Sequence, residues 1–173
     1  MKKSELKSVI RDVPDFPKPG ILFKDITPLL QNPAAFNYAI SKMLKFAKGK
    51  GITAVVSAES RGFIFGSVIA YKLKAAFVPV RKPGKLPYNK IRKDFTTEYS
   101  TDAFEMHEDA IKEGDKVLIV DDLLATGGTV KAAIELVERL KGNIAGCAFL
   151  IELKELKGRE NLGKYDVFSI IKY

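Results

Sequence analysis

Two acidic residues, Asp121 and Asp122, stand just before a short turn of small residues, 125–129, with the sequence Ala-Thr-Gly-Gly-Thr. A glycine-containing turn at the start of a helix offers unpaired backbone N–H groups and the positive end of the helix dipole, which together suit a phosphate. Two carboxylates would repel that phosphate, so we expect them to accept hydrogen bonds from the hydroxyl groups of an attached sugar. A divalent cation near the sugar would reduce the same repulsion.

The turn differs from the two commonest phosphate-binding loops. It is not followed by the Gly-Lys-Ser/Thr of a Walker A loop, and it lacks the dinucleotide spacing G-x-G-x-x-G. Thr126 and Thr129 add hydroxyl donors to the backbone groups. Because neighbouring strand residues point to opposite sides, Asp121 and Asp122 need not do the same work.

A second candidate anion site surrounds Arg61. Residues 60–62 read Ser-Arg-Gly and connect a predicted buried strand, 53–57, to a predicted helix that ends near Leu73. A strand that ends in this way before a helix is suited to an anion, and a guanidinium group matches the geometry of phosphate oxygens. The alternative is that Arg61 forms a salt bridge with Glu59 or another acid and has only a structural role.

The elements that position these residues alternate along the chain. Apolar runs predict five buried or edge strands, at residues 53–57, 75–80, 117–120, 144–153 and 167–171, and residues 102–107 are predicted as a further strand. Helical spacing of apolar residues separates them, and Asn32-Pro33 marks one helix start. This pattern predicts an α/β fold, with an open, mainly parallel twisted sheet flanked by helices and the site at the carboxyl ends of its strands.

Length and composition limit the classes of protein. A chain of 173 residues suits one domain, 1–173. The single cysteine, Cys147, lies in an apolar run, which favours a buried inert thiol and a reducing compartment. The only histidine, His107, ends a predicted strand, where a structural role is expected. Since no signal peptide or membrane-spanning run is evident, we expect a cytoplasmic protein without a membrane partner.

The net charge of +8 has two interpretations. It could attract a nucleic acid, or it could suit a small substrate with several phosphate groups. The lysines are scattered, with one denser patch at residues 82–93, which favours the small substrate and no nucleic acid partner.

Residues 117–129, V-L-I-V-D-D-L-L-A-T-G-G-T, resemble the 5-phosphoribosyl-1-pyrophosphate (PRPP) signature of type I phosphoribosyltransferases. The form from Asp121 to Thr129 is similar to that of the adenine-specific branch of the family, and the similarity extends from about Phe16 to the last strand. The resemblance implies a type I phosphoribosyltransferase-like fold with an N-terminal hood at about 14–30 and a flexible active-site loop at about 84–101. It implies transfer of the phosphoribosyl group from PRPP to adenine, giving AMP and pyrophosphate in purine salvage.

The resemblance also implies roles for individual residues. The candidate catalytic residues are Glu98, Asp121, Asp122 and Arg61. The candidate residues for the 5′-phosphate are Ala125, Thr126, Gly127, Gly128 and Thr129. Adenine would contact the hood at Leu22, Phe23 and Lys24, and the other candidate substrate-binding residues are Arg81, Lys82, Lys85 and Tyr99.

Two positions depart from the family pattern, which more often has arginine at Lys24 and glycine at Ser100. The resemblance further implies Mg²⁺, held mainly by the substrate's pyrophosphate and by water rather than by protein ligands. It also implies a homodimer. Two alternatives stay open: a phosphoribosyltransferase for another base, such as xanthine or hypoxanthine, and a PRPP- or purine-sensing regulator that binds RNA or DNA.

Overall fold

The computed structural model describes residues 3–96 and 101–173 and contains two compact units, one up to Lys42 and one from Met43 onward. The helices are α1 (Lys3–Ser8), α2 (Thr27–Gln31), α3 (Pro33–Ala47), α4 (Arg61–Leu73) and α5 (Gly128–Arg139). The strands are β1 (Arg11–Pro14), β2 (Leu22–Asp25), β3 (Ala54–Ala58), β4 (Ala76–Val80), β5 (Lys90–Thr96), β6 (Thr101–His107), β7 (Lys116–Leu124), β8 (Asn143–Glu152) and β9 (Val167–Lys172). Two short 3₁₀ helices, Lys154–Leu156 and Glu160–Leu162, precede β9.

The first unit is a small helical segment with a two-stranded antiparallel hairpin. Strands β1 and β2 pair with Val13 opposite Phe23, and Asn32 Oδ1 accepts the backbone N–H of Ala35 at 3.1 Å near the start of α3. The cap was predicted, but the hairpin was not. Prolines and a glycine between residues 14 and 28 hide a strand of only four residues from sequence patterns.

The second unit contains the parallel sheet, with strands in the order β4-β3-β7-β8-β9. Helix α4 connects β3 to β4, and α5 connects β7 to β8. All carboxyl ends of parallel strands therefore meet at one edge, as the predicted fold requires. The strands are dominated by buried apolar residues because helices cover the sheet.

Cys147 is buried within β8, and burial raises the pKa of its thiol to about 12, as expected for an inert cysteine. Residues 90–96, which the resemblance places in a flexible loop at about 84–101, form strand β5 in the structure. It pairs antiparallel with β6, and Ile91 and Phe95 pack against the core while Arg92 and Asp94 are exposed. The alternation was present in the sequence, but basic residues obscured it.

Among the described residues, no helix has the length and apolar character needed to cross a membrane.

Candidate active site

The carboxyl ends of β3 and β7 form the floor of a cleft with a volume of about 450 Å³. It contains both candidate sites that the sequence indicated, because β3 and β7 are neighbours in the sheet. The residues that line it are Glu59, Ser60, Arg61, Asp121, Asp122, Leu123, Ala125, Thr126, Gly127, Thr129 and Val130.

The acidic residues lie within β7 and not after its end. The sequence predicted that this strand stops at Val120, but pairing with β8 continues through Asp121 opposite Phe149 to Leu124 opposite Glu152. The apolar pair Leu123-Leu124 supports this continuation. The carboxyl groups are therefore held by a sheet strand, whose backbone is more rigid than that of a loop.

The turn after β7 has the conformation that its glycines allow. Gly127 has a φ of +87°, in the left-handed region that favours glycine, and it immediately precedes the first residue of α5. Helix α5 starts at Gly128. The turn and the first amide groups of α5 therefore border the cleft as a candidate phosphate site.

Asp121 and Asp122 lie side by side with different surroundings. Asp122 is buried and Asp121 is partly buried, and the Asp122 backbone N–H donates to Asp121 Oδ1 at 2.9 Å. The start of α4 passes very close to Asp121, because a Cβ atom at Gly62 would lie only 2.7 Å from Asp121 Oδ1. Gly62 is thus a site residue that sequence reasoning missed, although its place in Ser-Arg-Gly was a usable signal.

Burial raises the pKa of Asp121 well above its usual range, and the neighbouring charge of Asp122 raises it further. Burial also raises the pKa of Asp122, while the Arg61 guanidinium opposes that increase. Two desolvated carboxyl groups beside one cation favour hydrogen-bond donors or positive charge in the cleft. A ribose with its hydroxyl groups and a developing positive charge has both properties.

Arg61 reaches the acid pair directly. Its Nε lies 2.8 Å from Asp122 Oδ2. Arg61 therefore forms a salt bridge with an acid, as the second interpretation of this residue expected, and Asp122 is a partner. The Arg61 side chain is 35% exposed and also lines the cleft. It can therefore orient Asp122 and still present positive charge to an anion.

Glu59 organises the neighbouring basic residues. Its carboxylate accepts bonds from the Arg81 side chain, at 3.0 Å for Nη2, and from the backbone N–H of Lys82. Burial acts to raise the pKa of Glu59, but the Lys82 and Arg81 bonds hold it below its usual range. Lys82 Nζ lies 3.0 Å from Asp102 Oδ2, and the Lys85 carbonyl accepts a bond from Arg81. These three basic residues are not among those that line the cleft, and their contact with substrate stays a prediction.

Three further predicted residues belong to the first unit. Leu22, Phe23 and Lys24 are on β2 in the first unit, where the Phe23 ring meets the Phe16 ring edge-on with a centroid distance of 5.1 Å. Lys24 Nζ is 2.6 Å from Asp12 Oδ1. Glu98 and Tyr99 lie outside the described residues, so their roles stay predictions.

Comparisons with known proteins agree with this geometry. A family model described as the phosphoribosyl transferase domain matches residues 26–173. An adenine phosphoribosyltransferase from Brachyspira hyodysenteriae is 57% identical over 169 residues, which cover 98% of this chain and 99% of the relative. The chain belongs to the adenine phosphoribosyltransferase family. The enzyme class predicted from residues 117–129 is thereby confirmed.

Solved structures of adenine phosphoribosyltransferases confirm the predicted fold class. The enzyme from Thermoanaerobacter pseudethanolicus has a TM-score of 0.96 and 50% identity, covering 99% of this chain and 100% of that one. The Giardia lamblia enzyme, solved in complex with 9-deazaadenine, has a TM-score of 0.95 and 39% identity, covering 100% and 98%. The family relationship and the cleft thus point to phosphoribosyl transfer.

Proposed function

We propose that the chain transfers the 5-phosphoribosyl group from PRPP to adenine, which gives AMP and pyrophosphate and serves purine salvage. The observation that carries this proposal is the cleft in which an acid pair on β7 faces the glycine turn before α5. The Giardia lamblia relative binds 9-deazaadenine, a close analogue of the proposed base.

The 5′-phosphate binds at the turn. Ala125, Thr126, Gly127 and Thr129 line the cleft there, and Gly128 begins α5. Backbone N–H groups at a helix start carry partial positive charge and have no intrahelical acceptor, so they favour a phosphate. The hydroxyl groups of Thr126 and Thr129 add two further donors.

The ribose binds over the acid pair. Asp121 and Asp122 accept hydrogen bonds from its 2′- and 3′-hydroxyl groups, which supplies the donors that the desolvated carboxyl groups need. As pyrophosphate leaves, positive charge develops on the sugar ring. Carboxylates fixed in a strand stabilise that charge without having to reorganise during the reaction.

Pyrophosphate binds on the Arg61 side of the cleft. Arg61 neutralises part of its charge, and Arg81, Lys82 and Lys85 lie nearby around Glu59. The oxygen atoms of pyrophosphate beside the acid pair suit Mg²⁺ as the cofactor, since hard cations prefer oxygen ligands. Bound mainly to pyrophosphate and water, Mg²⁺ would supply further neutralisation of the leaving group.

Adenine binds to the hood segment around Leu22, Phe23 and Lys24. The Phe23 ring stacks on the purine, and backbone groups of Leu22 and Lys24 form hydrogen bonds with its edge. We assign no contact with the base to the Lys24 side chain because it already pairs with Asp12. A carbonyl that accepts the 6-amino group would reject hypoxanthine, which presents a carbonyl at that position. Glu98 and Tyr99 complete the set of residues that act on the substrates, with Glu98 exchanging a proton with the purine ring.

The proposal includes a cytoplasmic homodimer that acts on small molecules, without nucleic acid. Light scattering after gel filtration should give twice the mass of one chain, and a monomer would contradict the dimer. A gel shift with nonspecific RNA should show no complex at physiological salt, whereas salt-sensitive binding would favour the regulator class.

The deciding experiment measures pyrophosphate release with PRPP, Mg²⁺ and one base at a time. The bases are adenine, hypoxanthine, guanine, xanthine and orotate. We expect rapid release, with formation of AMP, only for adenine. Release that is equal or faster with another base would overturn the proposed substrate.

A further inference from the structure

The phosphate turn is supported from behind by the segment that joins β8 to β9. We call residues 154–162, which include both 3₁₀ helices, the buttress segment. In the structure it contacts two consecutive peptide groups of the turn through Gly158 and Asn161.

The buttress segment is fixed to the sheet by Arg159. Arg159 Nε and Nη2 donate to the two carboxylate oxygens of Glu152 at 2.9 and 2.6 Å, and Nη1 donates to the Val167 carbonyl at 2.6 Å. Ser169 also donates to Glu152. Hydrogen bonding from Arg159 lowers the pKa of Glu152 to about 2, so this pair stays charged across the physiological range. A planar guanidinium bonded to three fixed acceptor atoms gives the segment little freedom to move.

The two contacts with the turn are close. Asn161 Nδ2 donates to the Thr126 carbonyl at 2.7 Å. Gly158 is buried so tightly that a Cβ atom there would overlap the Ala125 carbonyl oxygen and lie 3.1 Å from the Gly127 nitrogen. Gly158 does not have a left-handed backbone conformation, so an alanine at this position would act through the contact alone.

These contacts determine where the N–H groups of the turn point. In a trans peptide the carbonyl and the N–H lie on opposite sides of the chain. Because the Ala125 and Thr126 carbonyls face the buttress segment, the N–H groups of Thr126 and Gly127 are directed away from it. Thr126 and Gly127 also line the cleft, where those N–H groups can meet an anion.

We propose that the buttress segment orients the phosphate-binding turn, with Asn161 and Gly158 as positioning residues for the 5′-phosphate. This inference rests on the proposed function, since it assigns the turn to the phosphate of PRPP. It makes binding of the sugar phosphate depend on residues that never touch it.

The test replaces Asn161 with leucine, which keeps the branched shape but removes the donor. Steady-state kinetics give the KM for PRPP and for adenine, and calorimetry gives the Kd for ribose 5-phosphate. We expect Asn161→Leu to raise the KM for PRPP and the Kd for ribose 5-phosphate by about three- to tenfold, the usual effect of one lost hydrogen bond. The KM for adenine and the thermal midpoint should not change.

Two further variants complete the design. Gly158→Ala should raise the KM for PRPP and the Kd for ribose 5-phosphate by about tenfold or more, because overpacking displaces the turn. Asn143→Leu makes the same substitution at an exposed position at the start of β8, the opposite edge of the sheet, and should behave like the wild type. If Gly158→Ala does not fold, Asn161→Leu still decides.

The outcomes separate the two proposals. Wild-type constants in Asn161→Leu, or a lower thermal midpoint with an unchanged KM for PRPP, would overturn the positioning role while the wild type still makes AMP. An equal increase in the KM for adenine would also overturn it, as general damage. Failure of the wild type itself to make AMP would overturn the proposed function instead.

Discussion

Replacing Arg61 with methionine removes the cation from a buried carboxylate. Arg61 Nε lies 2.8 Å from Asp122 Oδ2, and the Asp122 side chain is only 6% exposed. A buried carboxylate that loses its partner must stay charged at a large cost or take up a proton. Since burial already raises the pKa of Asp122 and Arg61 opposes this, Arg61→Met should raise that pKa further.

The size of the effect follows from the contact. Removing one partner of a buried ion pair commonly costs about 3–5 kcal/mol, and the 35% exposure of Arg61 reduces the expected cost to about 1.5–3 kcal/mol. A carboxyl group whose pKa is higher in the folded than in the unfolded state makes the protein less stable as pH rises between the two pKa values. Arg61→Met widens the pH range between the unfolded and the folded pKa of Asp122. Its loss of unfolding free energy should therefore grow from near zero at about pH 4 to about 1.5–3 kcal/mol at pH 8.

Urea denaturation at pH 4.5, 6 and 8 measures this loss. A cycle with Asp122→Asn and the double variant isolates the pair, because Arg61→Met should cost less than about 0.5 kcal/mol once Asp122 is neutral. Asp121 is present in all four proteins. Its weaker attraction to Arg61 accounts for the small cost of Arg61→Met that remains when Asp122 is neutral. A loss that does not change with pH, or that is equal in the Asp122→Asn background, would refute the reasoning.

Other variants test other parts of the site. Asp121→Asn with Asp122→Asn should abolish pyrophosphate release and leave the far-ultraviolet circular dichroism unchanged; near-wild-type release would end the ribose role. Glu98→Ala should lower kcat by about tenfold or more, as expected for the loss of a proton-transferring group, and an unchanged kcat would make Glu98 a bystander. Glu152→Gln should lower the free energy of unfolding at pH 7 by about 1–3 kcal/mol. Because the pKa of Glu152 is lowered to about 2, the contribution of its pair is present above the unfolded pKa and is lost as pH falls through about 2. The two proteins should therefore converge in acid denaturation, and a constant difference down to pH 2 would contradict the ion pair.

The strand, turn and helix around residues 117–140 could be predicted because local signals agree there. A β-branched apolar run predicts a buried strand, and glycine at position 127 meets the need for a positive φ. The same residues carry the resemblance that identified the family. The convergence of Arg61 with Asp121 followed from topology, since neighbouring parallel strands end at one edge.

The side-chain partners could not be predicted, because the fold brings them together from distant parts of the sequence. Arg81 and Glu59 are 22 positions apart, and Asn161 and Thr126 are 35 apart. Sequence patterns show that a basic residue follows a strand, but they do not show which acid neutralises it. The pairs of Arg81 with Glu59 and of Lys82 with Asp102 were therefore missed, while the expected contact of these basic residues with substrate stays a prediction.

A crystal structure of the protein with AMP tests the central claim most directly. The account predicts the phosphate within hydrogen-bond distance of the backbone N–H groups of residues 126–129, and the ribose hydroxyl groups at Asp121 and Asp122. A phosphate bound away from this turn, or a ribose that leaves both carboxyl groups without contact, would contradict it.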